Sequence, residues 1–191
     1  MTPIDHRACA VLAMDFQADI VGRLGDAATP ALDRAAAILS AARTASVPVI
    51  YVVVGFRPGY PEVSPRNAAF GPIVQSGRLI TATPGSDVDP KLKPEAGDVV
   101  IFKHRVSAFA GTELDMVLRA KSIDTLILSG LSTSGVVLST VRHAADADYR
   151  LIVASDACAD SDAEVHRVLM EKVLPRQATV MASAQVIQAL R

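Results

Sequence analysis

Two charged residues of the sequence stand at the ends of apolar runs, where their types suit acid–base chemistry. Asp15 directly follows the apolar run 10–14, and Lys103 directly follows the run 99–102. A carboxyl group at the rim of an apolar core has a raised pKa when it is partly buried, which suits general acid–base catalysis. A neighbouring ammonium group would hold the carboxylate ionised or stabilise a developing negative charge. A helix-capping aspartate and a solvated lysine explain each residue equally well in isolation.

A third feature is a stretch of small residues, 129–137, that follows the apolar run 125–128. Small residues at the start of a helix expose several backbone N–H groups, backed by the helix dipole, which is how proteins build anion and oxyanion sites. Taken alone, they are equally typical of helix caps. The candidate binding residues in this turn are Ser132, Thr133, Ser134 and Gly135. Since all three features follow apolar runs, we predict that they meet at one edge of a sheet.

Six apolar runs rich in Val, Ile and Leu must position these residues. They span 10–14, 48–54, 99–102, 125–128, 151–154 and 179–182. Short, largely uninterrupted runs of this kind are typical of strands buried on both faces of a parallel sheet. Helical patterns separate most of them, at 30–46 after the N-cap Thr29, 113–120, 133–148, 163–174 with Asp162 or Ser161 as N-cap, and 185–191. This alternation predicts a doubly wound α/β fold.

Composition limits the classes of function. Half of the 191 residues are apolar and the net charge is −1, so a large core is expected and a nucleic-acid or anionic-membrane partner has no electrostatic basis. Two cysteines exclude a disulfide framework and a four-cysteine zinc site. The longest strongly apolar stretch, 47–56, is too short to span a bilayer. We expect one domain, 1–191, located in the cytoplasm.

The stretch of about 55–97 interrupts the alternation and is rich in Pro and Gly. It is too long for an ordinary connection, and long connections near a strand end are often functional, although a disordered surface loop remains the alternative. Arg66 and Asn67 lie in it as candidate contacts for a carboxylate or amide of a substrate. Arg105, two residues after Lys103, either points into the same cleft or pairs with a carboxylate such as Asp19.

Four segments in order give the chain a specific family resemblance. They read AMDFQ at 13–17, FKHRVSAF at 102–109, the stretch 130–140, and SDACAD at 155–160. In these segments the chain resembles the isochorismatase-like hydrolase superfamily, over nearly its whole length. The resemblance implies a three-layer α/β/α, Rossmann-like fold with a six-stranded parallel sheet, a small-molecule substrate and a homo-oligomer, either a dimer or a tetramer. Phe16, beside Asp15, joins the candidate substrate contacts.

Most members of that superfamily are cysteine hydrolases with an Asp-Lys-Cys triad. By the resemblance, Asp15 and Lys103 of this chain match the first two positions of the triad. The motif Gly-x-x-Thr-x-x-Cys reads GLSTSGV at 130–136, so Val136 stands where the cysteine belongs. A valine side chain has no lone pair and forms no thioester. The resemblance also implies a cis peptide near Leu131–Ser132 that directs the N–H groups of Ser132 and Val136 into the cleft.

Two functions survive the loss of the cysteine. One is hydrolysis or related acid–base cleavage of a small organic molecule, with Asp15 moving the proton, Lys103 tuning it and the 132–136 turn donating hydrogen bonds. The other is a catalytically inactive relative that binds a small molecule or takes part in an assembly.

Other candidate groups are weaker. Nicotinamidase-like members bind a metal through an Asp-x-His and a further histidine in the stretch after the second strand, but 55–97 contains no histidine and the histidines elsewhere lack ligand spacing. We therefore predict no metal and no other cofactor. Cys9 and Cys158 have apolar neighbours and are expected to be buried structural thiols. The order Ser132, Asp156, His166 mimics that of a serine hydrolase, but the nucleophile elbow lacks its second glycine.

Overall fold

The computed structural model describes residues 4–191, and a parallel sheet of six strands organises them. The strands are β1 (Cys9–Met14), β2 (Val49–Val54), β3 (Val99–Lys103), β4 (Thr125–Leu131), β5 (Arg150–Ala159) and β6 (Thr179–Met181). They lie in the order β3-β2-β1-β4-β5-β6, and every neighbouring pair is parallel. The predicted α/β fold with a six-stranded parallel sheet is confirmed. The chain runs outward from β1 in both directions, so β1 and β4 flank the topological switch point, where such sheets bind ligands.

Of the seven helices of the described chain, six lie in the connections between strands and the last follows β6. They are α1 (Ala18–Leu24), α2 (Ala28–Thr44), α3 (Gly71–Ser76), α4 (Leu114–Ala120), α5 (Leu138–Asp146), α6 (Ala163–Val168) and α7 (Ser183–Ala189). A π-helical turn, Thr133–Val137, precedes α5, and another, Leu169–Val173, follows α6. None of these helices is long and apolar enough to cross a membrane.

Helix boundaries differ from the prediction at one end of α2. The helix begins at Ala28, after a 3₁₀ turn at Gly25–Ala27, so Thr29 lies inside the first turn and is not its N-cap. Pro30 is tolerated there because the first N–H groups of a helix have no intrahelical acceptor. At α6 the expected cap forms, and the Asp162 carboxylate accepts hydrogen bonds from the N–H groups of Glu164 and Val165.

Alternation along β1 divides the core into two layers. Cys9, Val11 and Ala13 face a cluster that includes side chains of α2 and α7, whereas Ala10, Leu12 and Met14 face a cluster that includes side chains of α4 and α5. Since successive side chains of a strand point to opposite faces, a strand buried on both faces must be apolar throughout. The sheet is therefore the middle of three layers.

The long stretch after β2 is folded onto the sheet. A cluster of buried side chains anchors it, namely Val54, Phe56, Tyr60, Phe70 and Leu79. Gln17, directly after β1, adds a polar clamp, because its amide nitrogen donates to the carbonyls of Val54 and Ser86 at 2.8 Å each. Its amide oxygen accepts from the Val54 N–H at 2.8 Å. This clamp fixes the stretch near the carboxyl ends of β1 and β2.

Gly130 lets β4 approach β1 closely at this edge. A Cβ atom there would lie 2.9 Å from the Met14 carbonyl oxygen and 3.4 Å from Val136 Cγ1. We expect Gly130→Ala to lower the free energy of unfolding by about 1–3 kcal/mol, because the backbone of β1 cannot easily retreat. Urea unfolding checks this. The control Gly22→Ala, in α1 with no atom within 4 Å of the new Cβ, should be neutral or slightly stabilising. Equal unfolding free energies for Gly130→Ala and the native chain would contradict the close approach.

Candidate active site

Asp15 and Lys103 form an ion pair at the carboxyl edge of the sheet. Asp15 follows β1, and Lys103 ends β3, on the far side of β2. Lys103 Nζ lies 2.9 Å from Asp15 Oδ2, and it also donates to the Arg105 carbonyl at 3.0 Å. Both residues are buried, at 6% and 2% exposure. The backbone of Asp15 has φ 59°, a left-handed conformation that Asp and Asn tolerate better than most residues.

The electrostatics of this pair favour a protonatable carboxyl group. Burial raises the pKa of Asp15, and the charge and hydrogen bond of Lys103 lower it without cancelling the rise. Asp15 Oδ1 is buried and has no hydrogen-bond donor within residues 4–191. An unsatisfied buried acceptor is costly, and a catalytic role or a bound water or ion is the usual kind of explanation. Asp15 is thus a candidate for proton exchange with a bound molecule.

The turn after β4 provides backbone N–H groups beside the pair. The Leu131–Ser132 peptide bond is cis, as the resemblance implies, and the π-helical turn follows it. The Ser132 carbonyl accepts from the N–H groups of Gly135 and Val137 at 3.2 and 3.3 Å. Within the described residues, the Ser132 N–H has no acceptor of its own. This donor is therefore free for a ligand oxygen.

A cavity of about 240 Å³ joins these groups. Five of the predicted site residues line it, namely Asp15, Lys103, Ser132, Gly135 and Val136. Its volume falls below the range of about 300–1,000 Å³ that is usual for drug-sized ligands, so it suits a small molecule. Larger clefts exist on the surface, such as one of about 600 Å³ beside α2 and α7. Among the cavities of the described residues, only the one of about 240 Å³ is lined by both Asp15 and Lys103.

Four predicted contacts lie outside the lining of this cavity. Phe16 is buried in the core layer that contains α2. Arg66 is exposed, and the Asn67 side chain accepts from the N–H groups of two following residues, which makes it a turn residue. Arg105 donates to the carbonyls of Glu62 and His104, and only its own carbonyl touches Lys103. In this structure, these four side chains are therefore not positioned to contact a ligand in the cavity.

Thr133 and Ser134 belong to the turn but do not line the cavity, and each forms a hydrogen bond that supports the turn. Thr133 Oγ1 lies 2.8 Å from His166 Nδ1, and the Ser134 N–H donates to Asp160 Oδ2 at 2.7 Å. Burial alone would raise the pKa of Asp160, but hydrogen bonds from Ser134 and from the following backbone lower it overall. Asp160 is therefore a stable carboxylate that holds the turn in place.

The serine-hydrolase alternative fails on geometry. The Asp156 carboxylate accepts from the N–H and the hydroxyl of Ser183, at 2.6 and 2.8 Å. His166 pairs with Thr133 through the nitrogen that such a triad would use for the aspartate. Ser132, Asp156 and His166 therefore form no relay.

The two cysteines are unsuited to nucleophilic attack. Burial is the largest influence on both thiols and raises the pKa of Cys9 and of Cys158 to about 12. Neither lines the cavity. A thiol with such a pKa has almost no thiolate at neutral pH, so both act as core residues.

Three charged residues of the cavity wall were not predicted as ligand contacts: Asp19, Arg23 and Arg78. Asp19 and Arg23 belong to α1, a short helix without a clear apolar period in the sequence. Their spacing of four residues was the available signal, since it places both on one face of a helix, and that helix begins three residues after Asp15. Across residues 4–191, no group of three metal-binding side chains converges.

Comparison with known proteins places this site in a family. The family model described as "Isochorismatase domain" matches residues 9–185. A cysteine hydrolase structure from Pseudomonas syringae pv. phaseolicola 1448A is 28% identical, with a TM-score of 0.91, over 100% of this chain and 95% of that one. N-carbamoylsarcosine amidase from Thermoplasma acidophilum is 32% identical, with a TM-score of 0.78, over 92% and 96% of the two chains.

A curated relative has a longer chain. Ureidoacrylate amidohydrolase RutB from Methylorubrum extorquens is 33% identical over 151 residues, which are 73% of this chain and 61% of the relative. The present chain therefore spans about three fifths of that protein. At the level of the family, these relatives support hydrolase activity on small molecules. With the matching domain model, the parallel sheet and the site at its switch point, the chain belongs to the isochorismatase family.

Proposed function

We propose that the chain hydrolyses, or cleaves by related acid–base chemistry, a small organic molecule without a cysteine nucleophile. One observation carries this proposal. Asp15 lines the cavity, its Oδ2 is held 2.9 Å from Lys103 Nζ, and its buried Oδ1 has no donor among the described residues. A carboxyl group in this state can give a proton to a leaving group and recover one from water.

Asp15 both gives and recovers the proton that such a reaction needs. Water adds to the carbonyl carbon of the substrate, and the carbonyl oxygen takes up negative charge. The protonated Asp15 carboxyl group then gives its proton to the leaving nitrogen or oxygen as its bond to carbon breaks, and Lys103 stabilises the carboxylate that remains. The extra proton carried by the added water returns to Asp15. The Ser132 N–H is available to an oxygen that gains negative charge during this step.

The position of Val136 supports a route without a covalent intermediate. Its side chain is 2% exposed and lines the cavity beside Ser132 and Gly135. The resemblance to cysteine hydrolases implies that residue 136 matches the position of the family nucleophile, and an isopropyl group cannot attack a carbonyl. Asp15 and Lys103 are then the remaining groups of the triad. Their chemistry does not depend on the missing sulfur.

The names of the relatives indicate which bonds to test first. N-carbamoylsarcosine and ureidoacrylate both contain a carbamoyl-type C–N bond, and the family name adds the vinyl ether of isochorismate. A cavity of about 240 Å³ restricts the panel to small molecules. Amides, ureido compounds, vinyl ethers and esters of this size form the panel.

The test compares the native chain with the variant Cys9→Ala/Cys158→Ala on that panel. We expect turnover of at least one substrate class, with the rate of the cysteine-free variant within about twofold of native, since neither thiol lines the cavity. Steady-state assays measure the rates, and circular dichroism checks the fold. A folded cysteine-free variant that has lost all turnover would contradict the proposal.

The second candidate is a catalytically inactive member that binds a small molecule or joins an assembly. The apolar side chain of Val136 inside the cavity favours it, because the site then retains binding groups without a nucleophile. Absence of turnover on every class, together with ligands that raise the melting temperature of the native chain, would identify this function instead.

A further inference from the structure

The edge strand β3 exposes two apolar side chains on one face of the sheet. Val100 is 36% exposed and Phe102 is 54% exposed, and side chains two residues apart on a strand point the same way. Ile101, between them, points into the core layer that contains α4 and α5. Of the large exposed apolar side chains of residues 4–191, only Val100 and Phe102 share a helix or strand. They form an apolar patch that no helix covers.

A groove of about 860 Å³ runs beside these two side chains. Most of its other lining residues belong to the segment 81–94, which contributes Val88 and three prolines. The segment is fixed within the chain, because the Gln17 side-chain amide donates to the Ser86 carbonyl and the Asp89 carboxylate accepts from the Lys91 N–H. A surface that is already ordered loses little conformational entropy when a partner binds.

The backbone of β3 is also open at this edge of the sheet. Only β2 pairs with it. The Lys103 carbonyl accepts from the Gly55 N–H at 3.1 Å, and since successive carbonyls of a strand alternate in direction, those of Val100 and Phe102 point away from β2. Outside the sheet ladder, no backbone hydrogen bond among the described residues uses Val100 or Phe102. Open edges of this kind pair readily with another chain unless charge, proline or shortness protects them.

Two groups of opposite charge stand beside the apolar patch without an ionic partner. Asp87 and Lys93 both line the groove and are exposed. In the part of the chain that the structure describes, neither forms an ion pair, and the neighbouring Lys91 pairs with Asp33. A two-fold axis brings each residue of such a couple to the other residue in a second copy. A partner of a single charge would attract one group and repel the other, so the surface best fits a copy of itself.

We propose that the chain forms a homodimer through this surface, which we call the β3 face and which consists of Asp87, Val88, Lys93, Val100 and Phe102. Val100 and Phe102 of the two copies pack together at the two-fold axis, and Lys93 of each copy pairs with Asp87 of the other. The aromatic side chain supplies most of the affinity, whereas the charged pairs select the partner. The dimer is independent of the proposed function, because the groove and the cavity at Asp15 share no lining residue.

Charge reversal tests the pairing of Lys93 with Asp87. We expect the native chain to have twice the mass of one copy, and Lys93→Glu to raise the dimer dissociation constant at least about tenfold, because it places like charges together twice. Asp87→Lys should have the same effect. An equimolar mixture of the two variants restores both opposite pairs between unlike copies, so it should dimerise within about threefold of the native constant. Sedimentation equilibrium at low ionic strength measures these constants.

A second variant tests the apolar patch. Phe102→Thr should also raise the dissociation constant at least about tenfold, because a buried aromatic side chain is a typical hot spot of an interface. Threonine favours strands, so β3 should persist, and circular dichroism checks the fold. Lys172→Glu is the matched control for charge. Lys172 is exposed, forms no ion pair within residues 4–191 and lies outside the groove, so this variant should dimerise like the native chain.

The masses decide the proposal in either direction. A native chain that stays monomeric at about 100 µM would overturn it and leave the β3 face to a different partner. A dimer that Phe102→Thr and both charge reversals leave unchanged would also overturn it, and so would a mixture of the two charge variants that fails to dimerise. Weakening by each single variant with recovery in the mixture supports the β3 face, as does a tetramer that the same variants divide into dimers.

Discussion

We expect Asp15→Asn to lose about 10²- to 10⁴-fold in turnover, the range that a positioned acid or base contributes. The amide has nearly the shape of the carboxyl group but cannot deliver its proton to a leaving group. Asn is also the right replacement for the backbone, because Asp15 has φ 59° and Asn tolerates the left-handed region. A substitution such as Asp15→Ala would combine the loss of chemistry with backbone strain. Initial rates on the responsive substrate class measure the effect.

The control for this variant is Asp33→Asn. Asp33 is exposed and pairs with Lys91 at 2.6 Å on the surface, so its loss should change neither the rate nor, by more than about 0.5 kcal/mol, the stability. A folded Asp15→Asn variant that keeps the native rate would remove Asp15 from the mechanism. Thermal unfolding of both variants shows whether a lost rate reflects a lost fold.

The pH dependence of the rate shows whether Asp15 acts as the acid or as the base. Burial raises the pKa of Asp15 above its ordinary value, and Lys103 opposes this rise. If Asp15 is the proton donor, its protonated form is the active one, so the rate falls as the pH rises through that pKa. Lys103→Met removes the opposing charge and should move this fall to higher pH. A rate that climbs through the same range would make Asp15 the base.

The sequence predicted the sheet well because its strands are buried on both faces. Such strands must be continuously apolar, and each observed strand lies within about three residues of a predicted run except β5, which extends to Ala159. The order of the strands was not predictable from these runs, because every interior strand has the same composition. Helices α1 and α3 were missed, since seven and six residues give too few turns for a clear apolar period.

The site was predictable where residues follow strands and not where they belong to loops. Asp15 and Lys103 end strands on either side of β2, so the topology alone brings them to one edge. Arg105 lies only two residues beyond Lys103, but its side chain turns to the Glu62 and His104 carbonyls. Arg78 lines the cavity from the loop after α3, which a hydrogen bond from the Leu79 N–H to Asp19 joins to α1. Such directions depend on long-range contacts that spacing in the sequence does not encode.

The largest gain of reactivity should come from Val136→Cys. A thiol at this cavity-lining position has Lys103 on the same wall, and a nearby cation favours the thiolate. Cys9 and Cys158 have pKa values of about 12. An ordinary thiol has a pKa of about 8.5, and the lower nucleophilicity of its thiolate offsets part of the gain in thiolate fraction. The new thiol should therefore react with iodoacetamide at neutral pH on the order of 10²-fold faster than either. Mass spectrometry of the alkylated peptides measures this ratio.

Val137→Cys is the matched control for position. Val137 is the next residue of the same π-helical turn and belongs to the same buried core cluster as Val136, but it lies outside the cavity lining. Its thiol should stay unmodified while the thiol of Val136→Cys reacts with one equivalent. Equal reactivity of the two variants would place residue 136 outside the reactive site. Val136→Cys could also gain amide turnover that adding Asp15→Asn to the same chain abolishes. In that case the Asp15–Lys103 pair supports attack by a thiol as well as by water. The substitution at 136, rather than any change in the carboxyl or ammonium group, would then be what separates this chain from a cysteine hydrolase.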